Sequence, residues 1–202
     1  MSKIMYTEVI RTTNLAMYKE KEREFIELDD RSKSMLSTYI RKVTFRNEDQ
    51  NSAIDYSIVF EDMEDIYLER KEKDLNIVTK EFFPLSREQV DAILSGDYSV
   101  IEQSEEPGLR SFYELLVTNQ LTPAFRKEFT RKLFHQNKFL DIVFDISMNR
   151  KPYEKNDLFA PKGVFFNTDY SNLRMSIRQN LSFSKPMEQL LAFEKEFYAQ
   201  NS

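Results

Sequence analysis

The sequence predicts an α+β protein built on a mostly antiparallel sheet, and three observations point there. Residues 54–60 (IDYSIVF) alternate, with Ile54, Tyr56, Ile58 and Phe60 on one face, as a half-buried strand requires. Residues 65–73 (DIYLERKEK) and 76–83 (NIVTKEFF) read as a hairpin turning near Asp74 and ended by Pro84. In 139–147, Leu140, Ile142, Phe144 and Ile146 form one apolar face, with Asp141, Val143 and Asp145 opposite.

The remaining elements follow in order. Residues 4–10 read as a short strand and 12–28 as a charged helix, with Leu15, Tyr18, Glu22, Phe25 and Ile26 near helical spacing. Residues 39–46 (YIRKVTFR) give a second strand. Ser86 followed by Gln89 is a capping-box pattern, so a helix starts there, and Gly96 stops it. Residues 97–108 read as an acidic loop and 109–120 as an amphipathic helix. Strands at 124–134 and 139–147 pair around a turn at Gln136-Asn137, beside which His135 is expected at the surface. Residues 150–163 read as loop, 164–168 and 172–178 as strands, and 187–198 as a closing helix whose first turn accepts Pro186.

Composition excludes several function classes. The 202 residues include no Cys and one His, which removes disulfides, thiolate sites and multi-His metal centres. Three widely spaced Gly residues leave no glycine-rich phosphate loop, so any phosphate site must be built from side chains. The net charge of −5 argues against a globally basic nucleic-acid binder, and no DNA partner is expected. No apolar run has the length of a membrane span or signal segment, and a cytoplasmic location is the expectation.

The chemistry concentrates in Tyr67–Lys73. On a strand, Glu69, Lys71 and Lys73 share a face opposite Ile66 and Leu68. Such a row belongs against water or along a polar cavity, because unpaired buried charge is costly. Lys42, Thr44 and Arg46 share a face on the second strand, Lys80 lies across the hairpin, and Phe125, Lys127, Phe129, Arg131 and Leu133 share a face further on. Basic groups segregated inside a closed sheet would form a polyanion site. Alternation alone leaves open whether the sheet closes.

DIYLERKEKDLNIVTKEFFPLSREQVDAILSGDY resembles the central segment of the VTC domain, the polyphosphate polymerase domain of vacuolar transporter chaperone complexes and bacterial relatives. Glu69 and Lys71 match its E-x-K pattern, Lys80 its following basic strand, and Ser86 to Gly96 its helix. LTPAFRKEFTRKLF resembles the family's P…Y-x-R-x-A-F strand, with Phe129, Arg131 and Phe134 in place, and LDIVFDISM its R-I-T-L-D strand, with Asp145 at the Asp. TTNLAMYKEK resembles D-T-x-N-L-x-L-Y, and YIRKVTFR a following R-x-R strand. The resemblance covers about residues 7–148 in matching order. It implies a triphosphate tunnel, a closed antiparallel β-barrel with packed helices, as one domain over 1–202 whose first strand is shortened or lost. The implied ligand is polyphosphate or a nucleoside triphosphate, and the implied reaction is γ-phosphoryl transfer onto polyphosphate with Mn or Mg. On this reading Lys71, Lys80 and Arg131 are the catalytic phosphate ligands, Lys42 and Lys73 support them, and Glu69 orients the lysines or helps hold the metal. A larger complex is an expected setting.

The departures define a rival reading. Lys42-x-Thr44 stands for R-x-R, Phe82 replaces a basic residue, and Asp141 replaces an Arg that would face the phosphates. Asp141 repels them there unless it has become the metal ligand. The late-strand Glu is absent, with Asn167 or Asp169 the nearest substitutes. The rival is a catalytically inactive polyphosphate-binding or structural module on the same fold. An open sheet with no shared basic cavity would set both readings aside.

Overall fold

The structure, a computed structural model, describes residues 2–11, 13–27, 34–46, 53–118, 120–137, 140–155, 158–159 and 174–181. The strands are β1 (Ser2–Arg11), β2 (Ser34–Arg46), β3 (Ile54–Glu61), β4 (Asp65–Asp74), β5 (Ile77–Pro84), β6 (Thr122–Asn137), β7 (Leu140–Pro152) and β8 (Arg174–Asn180). The helices are α1 (Leu15–Glu27), α2 (Arg87–Ser95), α3 (Ser99–Glu102) and α4 (Pro107–Val117). The strands close a barrel in the order β1-β5-β4-β3-β2-β6-β7-β8, and every adjacent pair is antiparallel. Closure removes exposed sheet edges.

Local chemistry sets the connections. The β4–β5 hairpin turns through Leu75 and Asn76, one residue beyond Asp74, with Leu75 in the left-handed region at φ 51°. The capping box predicted at Ser86 is present: Gln89 N donates to Ser86 Oγ at 3.2 Å and Ser86 N donates to Gln89 Oε1 at 2.8 Å. Gly96 ends α2 at φ 95°, where a side chain would be strained.

Alternation divides the barrel into two faces. Outside, Val43, Phe45, Tyr56, Ile58, Phe60, Leu68 and Phe83 form one core with Val90, Ile93, Phe112 and Leu116 of α2 and α4. Phe112 anchors it, edge-on to Phe45 at 5.0 Å and stacked on Tyr56 at 5.2 Å. On the opposite wall, Tyr18 of α1 packs with Phe134, Phe144, Ile146 and Met175. Inside, Ile40, Val59 and Phe129 form a third, smaller apolar cluster with Tyr67 and Met148.

Several boundaries differ from the sequence reading. β2 starts at Ser34, β6 reaches Asn137 and β7 reaches Pro152, because β2 pairs β6 over the whole length from Ser34↔His135 to Arg46↔Thr122. The acidic loop contains α3 and the first residues of α4. His135 lies within β6 and not at a solvated turn; its Nδ1 is 2.6 Å from Asp141 Oδ1. The predicted strand at 164–168, with Asn167 and Asp169, and the helix at 187–198 lie outside the described residues. Among the described residues, no helix is long and apolar enough to cross a membrane.

Candidate functional site: a basic cavity in the barrel lumen

All eight strands send side chains into one polar cavity of about 130 Å³. The pleat positions them: β4 aims Glu69 and Lys71 inward while Leu68 and Arg70 point out. β7 contains a bulge where Ser147 takes φ 57°. The extra residue changes the parity, so Asp145 and Met148 both face the lumen.

Four carboxylates line the cavity, and three are already engaged. Glu69 is buried; it accepts from Lys80 Nζ at 2.5 Å and Lys42 Nζ at 3.2 Å. Burial alone would raise its pKa, yet Lys42 and Lys80 hold it well below the usual carboxylate range. Glu8 of β1 accepts from Arg178 Nε at 3.1 Å and lies 3.5 Å from Arg174 Nη2. Asp145 holds Arg131 in a fork, Nε to Oδ1 at 2.7 Å and Nη2 to Oδ2 at 2.9 Å. Asp55, the fourth, is exposed on β3.

Eight Lys and Arg side chains face these four carboxylates. The lumen therefore carries excess positive charge inside a protein of net charge −5. Among the described residues, neither Lys71 nor Lys127 has a carboxylate within ion-pair distance. Burial pushes the Lys71 ammonium down, with Lys42 adding to the shift and Glu8 opposing it. Burial also lowers Lys127 to about 8, and the positive charges of Lys42 and Arg150 contribute. Both lysines are held near like charges in a half-dry site, so a bound anion relieves them.

The structure brings Lys42, Lys71, Lys80, Arg131 and Glu69 to this one cavity. Lys73 is left out: it is exposed at the end of β4, beyond the lining residues. Asp141 does not line the cavity either; it is buried against His135. Arg131 and Lys80 are present, but each already gives part of its donor set to a carboxylate, Arg131 to Asp145 and Lys80 to Glu69. Sequence reasoning missed Glu8, Arg174 and Arg178, and gave no role to Lys127. The signal was there: Arg174, Ser176 and Arg178 alternate with Met175 and Ile177 on β8, and Lys127 shares the face of Arg131.

Among the described residues, no three Asp, Glu or His side chains group closely enough to hold a metal ion. The three buried lumen carboxylates already accept from Lys or Arg, so among the described residues the donor set does not fit the expected Mn or Mg.

A family model for the VTC domain matches residues 28–158. No curated protein matches the chain at a significant level. Among solved structures, a candidate adenylate cyclase from Bacillus halodurans shares 10% identity at a TM-score of 0.58, over 98% of this chain and 91% of that one. The mimivirus capping enzyme triphosphatase shares 10% identity at a TM-score of 0.51, over 98% and 89%. The RNA triphosphatase domain of the trifunctional mimivirus mRNA capping enzyme shares 11% identity at 0.51, over 95% and 85%. At these identities the likeness is one of fold, and the fold is the expected closed barrel.

Proposed function

Because the chain belongs to the VTC domain family, we propose that its barrel lumen binds the phosphate groups of linear polyphosphate or of a nucleoside triphosphate. The observation that carries this reading is the charge imbalance of the cavity, eight cationic side chains against four carboxylates, with Lys71 and Lys127 unbridged among the described residues. A cation pair with no counterion in a partly buried site is costly alone and is stabilised by an anion. Lys71 and Lys127 would donate directly to phosphate oxygens. Lys42 and Lys80 would share theirs between phosphate and Glu69. Arg131, clamped by Asp145, offers a fixed guanidinium at the wall.

This arrangement neutralises phosphate charge in the ground state. Faster phosphoryl transfer needs groups that act where charge changes in the transition state, and three of the four described lumen carboxylates, Glu8, Glu69 and Asp145, are held by lysines and arginines. The binding module is therefore the reading we favour over a polymerase, with weak or no turnover expected of the isolated chain. Calorimetry with tripolyphosphate tests the binding. Each charge-assisted contact contributes about 1.5–3 kcal/mol, so Lys71→Ala/Lys127→Ala should weaken binding about a hundredfold or more. Affinity equal to the parent's would reject the lumen as the site. Robust manganese-dependent polyphosphate formation or phosphate release would restore the polymerase or phosphatase reading.

A further inference from the structure

The lumen cavity is not the end of the basic surface. At its inner end it meets the apolar cluster of Ile40, Val59 and Phe129, which offers phosphate no ligand. At its other side Arg46 and Phe125 line the lumen and, at the same time, a second groove of about 320 Å³ along β6 and β7. Ala124, Arg150, Lys151 and Pro152 complete that groove, whose lining contains three cations and, among the described residues, no carboxylate.

We propose that this groove is a second phosphate subsite, which holds the continuation of a polyphosphate chain whose terminus sits in the lumen. The inference rests on the lumen reading above. Continuity is supplied by Arg46 and Phe125, shared by both hollows. Among the described lining residues the charge is of one sign, carried at the shared edge by Arg46 and Arg150, as a repeating anion requires. The lining argues against a nucleoside in the same place. The Phe125 ring is already covered by Arg150 at 3.9 Å and Arg46 at 4.9 Å, with Lys127 at 5.2 Å from the lumen side. A base stacking there would have to displace a guanidinium. Among the described lining residues, no side chain can accept a hydrogen bond from a ribose hydroxyl or a base amine. A bare phosphate chain asks for neither, and the guanidiniums held on the ring present donors to its oxygens.

The reading makes affinity depend on chain length through residues outside the lumen. Titration of the full chain with tripolyphosphate and with size-fractionated long polyphosphate, at matched concentrations of chain ends, measures this. In the parent the long chain binds more tightly. In Arg150→Ala/Lys151→Ala the long chain loses roughly fivefold, since exposed ion pairs contribute modestly, while tripolyphosphate changes by less than about twofold. Arg150→Glu, with thermal unfolding as the control on folding, should enlarge the same difference. Equal losses for both ligands, or no loss for the long chain, overturn the groove and leave the lumen standing. A groove-dependent gain for 5′-triphosphorylated RNA without one for polyphosphate reassigns the groove to RNA and also overturns the proposal. Failure of tripolyphosphate to bind the parent removes the lumen reading, and the groove with it.

Discussion

Lys127 and Arg131 sit four residues apart on one strand face, with Phe129 between them, yet they should respond differently to substitution. Arg131 is half-buried and held in a fork by the buried Asp145. Arg131→Ala leaves the buried Asp145 carboxylate without its cation, a loss smaller than the ~3–5 kcal/mol of a fully buried pair because Arg131 is partly solvated; urea unfolding should show that loss before any change in binding is interpretable. Lys127 has no carboxylate to strand among the described residues, so Lys127→Ala should leave the urea midpoint unchanged or raised. The same lysine contributes a pH dependence, together with Lys80, whose ammonium burial pushes down to about 7. The Lys127 pKa in the fold is lowered to about 8 from 10.5, so it loses its charge as pH rises through 8. Affinity for tripolyphosphate should therefore fall between about pH 7 and pH 9, with proton uptake on binding that calorimetry in buffers of different ionisation heat detects. Without ligand the sign reverses: between 8 and 10.5 the unfolded chain binds more protons than the fold, so stability attributable to Lys127 rises with pH across that window. A binding constant flat from pH 7 to 9 would remove Lys127 from the site. The site was partly legible for a physical reason. The rows on β2, β4 and β6 stand out because charge alternates with large apolar residues, as in Ile66-Tyr67-Leu68-Glu69. Glu8, by contrast, is one carboxylate on a strand that also carries Thr7 and Arg11, and nothing local says that Arg174 and Arg178, far along the chain, will meet it. Pairing across the seam of a barrel is information that periodicity does not contain.

At the scale of elements, the contact of α4 with the sheet is the most exacting. Gly108 is the second residue of α4, and a Cβ placed there would lie 2.1 Å from Phe83 Cζ and within 2.8 Å of two further ring carbons. Phe83 is 1% exposed and part of the outer core, so the ring has nowhere to go. In an unconstrained helix, Ala in place of Gly would stabilise by about 1 kcal/mol; here overpacking of about 1–3 kcal/mol opposes it. Gly108→Ala should thus be destabilising in urea unfolding, and a stabilised variant would mean that α4 does not dock on β5 as described. Glycine at this position is invisible as a docking requirement in sequence, where it reads only as the end of an acidic loop. The elements that were legible had their cause in nearby residues: the reciprocal bonds of Ser86 and Gln89, Gly96 at the end of α2, the Ile54–Phe60 face now packed beneath α4. Those misjudged had a distant cause. β2, β6 and β7 run beyond their apolar cores because each ladder extends the next, and His135 is drawn into β6 by its bond to Asp141 on β7.

The whole molecule separates its charge by closing. The net charge is −5 and the lumen holds an excess of cations, so the rest of the chain is more acidic than the net value. In an open sheet these lysines and arginines would face water at high dielectric and attract any polyanion. Barrel walls put them where each contact is stronger and where shape decides what arrives. A cavity of about 130 Å³ admits a few phosphate groups of a flexible chain and no duplex. Binding strength and binding selectivity then have separate origins, lumen cations for the first and closure with an acidic exterior for the second. The expected result is that tripolyphosphate binds at low ionic strength while double-stranded DNA at equal phosphate concentration neither binds nor competes. Raising salt from about 0.05 to 0.2 M should weaken tripolyphosphate binding roughly tenfold, since partly buried charges are screened but not abolished. A surface site would show the opposite pattern. DNA would displace tripolyphosphate, both would lose affinity in parallel with salt, and Lys71→Ala/Lys127→Ala would affect neither. Fluorescence competition with labelled duplex, run on the parent and on that double variant, distinguishes the two arrangements in a single set of titrations.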